Sequence, residues 1–124
     1  MDGDAQQLLL VEDHTDTREA MAVILARSGF QVTAVSTVAA ALASLDGKQC
    51  VVLDLMLPDG SGLEVLRRLR QDYPSVRRVV LSATADVAVL YEAMELAHHV
   101  FLKPIPMHDV LASLRSPLPV EADS

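Results

Sequence analysis

Five short apolar runs punctuate the chain, and each leads into a stretch with helical spacing. Leu8–Val11 is the first run, closed by Glu12-Asp13-His14. A bounded apolar run of that length predicts a buried parallel strand. Thr15 or Asp16 is placed to cap the next helix, with Glu19 at the capping-box position relative to Asp16. Ala20, Met21, Ile24, Leu25 and Ser28 share a face of that helix, and Gly29 ends it. Gln31–Ser36 alternates polar and apolar residues and predicts a strand near an edge. Thr37–Leu45 predicts a short Ala-rich helix. Cys50–Leu55 is apolar except for Asp54 and predicts the central strand. Gly62–Asp72 predicts a helix with Leu63, Leu66, Leu69 and Arg70 in register, stopped before Pro74. Arg78–Leu81 predicts a fourth strand closing in Ser82-Ala83-Thr84. Asp86 is expected to cap a helix reaching about His98, with Val87, Leu90, Tyr91 and Met94 as its apolar side. Val100–Leu102 predicts a fifth strand, followed by Lys103-Pro104. Pro106 opens a last helix with Val110, Leu111 and Leu114 inward.

Strands and helices alternating at this spacing predict an α/β fold, a parallel sheet with helices on both faces. The expected division is a loose start at 1–6, one domain over 7–116, and an acidic tail or linker start at 117–124. A length of 124 residues suits one domain with a real core.

Composition narrows the function. The net charge of −7 argues against non-specific nucleic-acid binding, which needs a positive surface. Aromatics are 3% of residues, too few for a base-stacking platform. No apolar stretch approaches the roughly 18 residues of a membrane span. The polar start, MDGDAQQ, is unlike a signal peptide, and the single cysteine, Cys50, suits a reducing compartment. The expected location is the cytoplasm.

The chemistry collects at strand ends. Glu12-Asp13, Asp54, Ser82 and Lys103 each close a strand, and a parallel sheet brings all such ends to one edge. Three bare carboxylates in one cleft repel one another, and a hard divalent cation such as Mg²⁺ resolves the conflict. Soft ligands at zinc spacing are missing. With a lysine for one phosphoryl oxygen and a hydroxyl for another, the set suits in-line phosphoryl transfer to the Asp54 carboxylate. Each residue also has a plainer reading: a loop-capping Asp54, a helix-entry acid pair, a Ser82 satisfying backbone, a solvated Lys103. The combination favours the chemical one. His98 and His99 read best as exposed positions at a helix end, His14 as exposed beside the site, and Cys50 as a small buried residue.

With these residues in order, the chain resembles the receiver domain of two-component response regulators over roughly Leu8 to Arg115. Glu12 and Asp13 match the family's acid pair. Asp54, Pro58 and Gly62 match its Asp-x-x-x-Pro-x-x-x-Gly pattern, Ser82-Ala83 its hydroxyl and small residue, and Lys103-Pro104 its Lys-Pro. The resemblance implies a flavodoxin-like (βα)5 fold with strand order 2-1-3-4-5 and a cis peptide at Lys103-Pro104. It implies that Asp54 accepts phosphoryl from a histidine kinase or histidine phosphotransfer protein. It further implies that Asp13 binds Mg²⁺ directly, Glu12 through water, and Met56 through its backbone carbonyl. The resulting signal would pass to an output partner or a fused output domain. Met56 and Thr84 occupy the positions that set hydrolysis, and apolar Met56 implies a long-lived phosphoryl group. Such a domain acts only on itself, not on outside substrates.

The chain departs from the family at Val100, where an aromatic ring usually stands, and at Leu96-Ala97, which replaces Gly-Ala. Charges for pairing through the fourth helix and fifth strand are missing around His98, His99 and Met107. Phe101 should point to the opposite face from Val100. Competing classes are an aspartyl phosphohydrolase, a flavin carrier and a pseudo-receiver acting by partner binding alone. The first lacks a second acid at Met56. The second lacks a phosphate loop after strand one. The third leaves the acid, Ser82 and Lys103 set without a role.

Overall fold

The computed structural model describes residues 5–117, so the expectations for residues 1–4 and 118–124 lie outside the described residues. Five strands form one parallel sheet: β1 (Gln7–Val11), β2 (Gln31–Val35), β3 (Cys50–Asp54), β4 (Arg77–Ser82) and β5 (His99–Leu102). Their order is β2-β1-β3-β4-β5, as the resemblance implied. Five helices connect and follow them: α1 (Thr15–Arg27), α2 (Val38–Leu42), α3 (Gly62–Asp72), α4 (Val87–Leu96) and α5 (Met107–Arg115).

The period of two along each strand divides the core into two layers. Leu9, Val11, Val51, Leu53 and Val80 face one side, under Leu63, Leu66 and Leu69 of α3 and Ala93 of α4. Leu8, Leu10, Val52, Val79 and Leu81 face the other, under Met21 and Leu25 of α1 and Val110 and Leu114 of α5. Val100 packs on the first layer and Phe101 on the second, as period-two geometry required. β3 is buried along its whole length, consistent with its central place.

Several local expectations change. The α1 cap is the backbone of His14, with no side-chain cap bond, so neither Thr15 nor Asp16 caps it and no capping box forms. The reason is that α1 starts at Thr15, directly after the strand-end acids. Its inward face is Met21 and Leu25; Ala20 and Ile24 are exposed. Helix α2 is shorter than expected, with the Thr37 hydroxyl accepting from Ala40 N–H at its start. In α3 the fourth inward residue is Val65, while Arg70 is exposed and reaches the Glu95 carbonyl at 3.0 Å. Pro106 is the cap of α5 and not its first residue.

The largest difference concerns α4. Its expected apolar side faces outward: Val87 is 62% exposed, Tyr91 67% and Met94 62%. The buried residue is Ala93, with Val89 and Leu96 partly covered. The helix also stops at Leu96 and does not reach His98. Arg78, buried in β4, donates through Nε to the Leu96 carbonyl at 2.7 Å and through Nη1 to the carbonyls of Pro74 and Val76. That guanidinium satisfies the helix end, and the chain turns extended at Ala97. His98, just before β5, and His99, its first residue, are therefore partly buried and not exposed helix-end positions. His98 Nδ1 accepts from Arg78 N–H at 3.0 Å, and the His99 ring stacks on Phe101 with centroids 6.1 Å apart.

Candidate functional site

β1 and β3 lie side by side in the sheet, so their C-terminal ends deliver Glu12, Asp13 and Asp54 to one cleft. Carboxylate oxygens of the three lie within 4.8 Å of one another. Glu12 and Asp54 are buried and Asp13 is exposed. β5 brings Lys103 across the edge. Its Nζ donates to Asp54 Oδ2 at 2.8 Å and to Glu12 Oε1 at 3.3 Å. Burial pulls the Lys103 pKa down, but the hydrogen bond and charge of Asp54, then Glu12, outweigh that and raise it overall. Lys103 is thus a permanent cation between two buried acids. The Lys103–Pro104 peptide is cis, as implied.

The strand-end loops are fastened by Arg18, which no sequence pattern singles out, and by the backbone of His14. Arg18, one turn into α1, donates to the carbonyls of Glu12 at 3.0 Å and Asp13 at 3.2 Å. The His14 N–H donates to Glu12 Oε2 at 3.1 Å. Together they fix the acid pair. The only sequence signal for Arg18 is its position one turn after the pair, which many exposed arginines share. His14 is exposed, and its ring meets the Thr17 hydroxyl at 3.2 Å.

The loop after β3 is equally constrained. Met56 N–H donates to Asp54 Oδ1 at 3.0 Å. Met56–Leu57 and Gly60–Ser61 then pair as a two-residue antiparallel ribbon, which the sequence pattern did not reveal. Asp59, at the ribbon's turn, reaches 21 residues back to accept from Val38 N–H at 2.7 Å and from Ala39 N–H at 3.0 Å. These two bonds hold the Asp59 carboxyl below its usual pKa. Gly62 N–H closes the loop on the Leu55 carbonyl at 2.8 Å. A Cβ at Gly62 would overlap the Asp54 carbonyl oxygen and lie 2.9 Å from Leu55 Cα. Glycine is therefore required here for close approach and not for an unusual φ.

Ser82 ends β4, fully buried, and its Oγ accepts from Thr84 N–H at 3.0 Å. Ala83 is exposed beside it, and Thr84 is partly buried. Val100 stands one strand away, partly buried against the first core layer. A groove of about 360 Å³ lies between α4 and β5, lined by Leu90, Met94, His98, Val100 and Leu102 among others.

The donor set suits a small hard cation: three carboxylates, two of them buried, with oxygen as the only donor type. Asp13 is the one acid of the three whose side chain is exposed, and so the one open to a solvated ion. Asp54 presents a carboxylate already beside an ammonium and an amide, an arrangement able to receive a phosphoryl group while neutralising its charge.

The chain matches the family model described as "Response regulator receiver domain" over residues 8–115. It is 35% identical over 117 residues to the photosynthetic apparatus regulatory protein RegA of Rhodovulum sulfidophilum. That match covers 92% of this chain and 64% of RegA, so the chain spans less than two thirds of that relative. A CheY-like receiver domain structure from Methanospirillum hungatei JF-1 shares the fold, with a TM-score of 0.85 at 22% identity over 90% of this chain and 92% of that one. A CheY-like receiver domain from Methylobacillus flagellatus aligns with a TM-score of 0.73 at 34% identity, covering 90% and 94%.

Proposed function

This chain belongs to the response regulator receiver domain family, and we propose that it is a phosphorylation-driven signalling switch with Asp54 as acceptor. The observation that carries this reading is Lys103 Nζ at 2.8 Å from Asp54 Oδ2, inside a cluster of three carboxylates. A partner-binding module without phosphorylation would leave that buried charge cluster with no task.

In this reading an Asp54 oxygen attacks the phosphorus of a phosphohistidine or small phosphodonor. The P–O bond to Asp54 forms as the donor's bond to phosphorus breaks, and the donor leaves with that electron pair. Lys103 and the Ser82 hydroxyl meet the phosphoryl oxygens. Asp13, Glu12, Asp54 and the Met56 backbone carbonyl would hold Mg²⁺, which supplies charge neutralisation when bound. Water later returns Asp54 to its free form, so the domain's chemistry is on itself alone.

The donor is a histidine kinase or histidine phosphotransfer protein, and the receiver of the signal is an output partner or output domain. The working place is the cytoplasm, in keeping with the lone buried thiol of Cys50. Among the described residues no helix is long and apolar enough to cross a membrane. The test is intact mass after incubation with acetyl phosphate and Mg²⁺. One added phosphoryl group is expected in the wild type and none in Asp54→Asn. Equal labelling of both, or of neither, overturns the reading.

A further inference from the structure

Charges are spread along the sequence except in one place. Ser28–Leu45, which spans β2 and α2, holds no aspartate, glutamate, lysine, arginine or histidine, and is the longest run of the chain without one. The chain as a whole carries a net charge of −7. A neutral corner on such a molecule is where a like-charged copy meets least repulsion.

The main chain at that corner is open. β2 stands first in the sheet order and pairs with β1 alone, in parallel, from Gln31 to Val35. Gln31 N–H donates to the Gln6 carbonyl at 2.9 Å, and the Val35 carbonyl accepts from Glu12 N–H at 3.0 Å. With these two residues turned toward β1, the period of two turns Thr33 the same way. The N–H and C=O groups of Val32 and Ala34 then point off the sheet. Among the described residues no group bonds to them. Sheet edges are commonly protected by lysine, proline or a bulge. β2, Gln-Val-Thr-Ala-Val, has no charge and no proline, and its register with β1 runs unbroken. The other edge differs: β5 runs straight into Lys103 and Pro104, a cation and a ring without an N–H. Beside β2 lies an apolar groove of about 570 Å³, between Ala22, Val23 and Ala26 of α1 and Phe30, Val32 and Ala34 at the edge. Val23 is 51% exposed, and Ala26 and Ala34 are exposed too.

We infer that β2 pairs antiparallel with β2 of a second copy of this chain, joining the two sheets across a two-fold axis at Thr33. The residues fit that symmetry. Val32 lies opposite Ala34 of the second copy, and each such pair exchanges both N–H···O bonds, since these are the residues whose groups point outward. The two Thr33 residues meet at the non-hydrogen-bonded position, a favourable cross-strand pair. Gln31 falls opposite Val35, so no charge faces a like charge along the paired strands. Val32 and Ala34 of both copies share the α1 side of the joined sheet, where the two grooves meet. A self-complementary contact of this kind closes at two copies. It involves no residue of the strand-end cleft and stands apart from the reading of Asp54 as phosphoacceptor.

The test is sedimentation velocity of the whole 124-residue chain over a wide range of concentration, without phosphodonor. The wild type should pass from monomer to dimer and stop there. Residue 34 lies diagonally across from its own counterpart in the second copy. Ala34→Lys and Ala34→Glu, both at an exposed side chain, should therefore each weaken the dimer about tenfold or more. An equimolar mixture of the two variants should restore it, which neither general destabilisation nor a contact elsewhere on the surface would allow. A wild type that stays monomeric overturns the inference. So does a dimer indifferent to Ala34→Lys, a mixture that stays as weak as its components, or an assembly that grows beyond two copies.

Discussion

The strand-end cleft and the α4–β5 flank belong to the same sheet but are built by opposite means. In the cleft nearly every polar group has a fixed partner. Asp54 meets Lys103 and Met56 N–H, Glu12 meets Lys103 and His14 N–H, and Arg18 ties down both carbonyls of the acid pair. On the flank, Val87, Tyr91, Met94 and Leu102 expose most of their apolar surface. The contrast separates a cleft of paired charges from a flank of uncovered apolar side chains. Chemistry on a buried carboxylate needs fixed charges, whereas a signal needs an element that moves for little energy.

The contrast breaks most severely if the cleft tolerates change. Gly62→Ala places a methyl against the Asp54 carbonyl and the Leu55 backbone, and backbone cannot yield as a side chain does. A loss of about 3 kcal/mol is expected in urea unfolding; an unchanged midpoint would show that the loop is loose. Arg78→Met comes next. It leaves the Leu96, Pro74 and Val76 carbonyls without their guanidinium donor in a buried setting. The expected cost is about 2–3 kcal/mol, with fraying at the C-terminal end of α4 visible in amide exchange.

Asp59 sharpens the comparison through pH. Its folded pKa is lowered by bonds from Val38 and Ala39, so its ionised form favours folding. That contribution is present above the unfolded value of about 3.9 and is lost as pH falls through the lower folded value. The stability gap between wild type and Asp59→Ala should therefore be constant from neutral pH to about 5 and shrink below about 4. A gap that grows on acidification contradicts the clasp. The smallest effect belongs to the flank. Tyr91→Ser and Met94→Ser should each change stability by less than about 0.5 kcal/mol, since neither side chain is buried on folding.

Residue patterns made the cleft legible and the flank only partly so. Strand ends carry their chemistry next to bounded apolar runs, so Glu12, Asp13, Asp54, Ser82 and Lys103 were each placed by position alone, and parallel geometry did the gathering. What stayed hidden is long-range in sequence. Nothing near Asp59 in sequence signals its bonds to the first residues of α2, 20 and 21 positions back. Arg78 looked like the polar start of a strand until its guanidinium reached three carbonyls. The apolar stripe of α4 misled because helical periodicity identifies a face but not what covers it. Val87, Leu90, Tyr91 and Met94 do share a side, and that side turns away from the core occupied by Ala93. The two-residue ribbon after β3 was too short for any periodic signal.

The role proposed for Asp54 depends on where a phosphoryl group lands. Borohydride reduces an acyl phosphate to the alcohol, so an aspartyl phosphate becomes homoserine at the modified position. After phosphorylation with acetyl phosphate and Mg²⁺, reduction and peptide mass analysis should find homoserine at residue 54 and nowhere else. Homoserine at Asp13 or Asp59 instead, or an unmodified residue 54 in fully labelled protein, would contradict it.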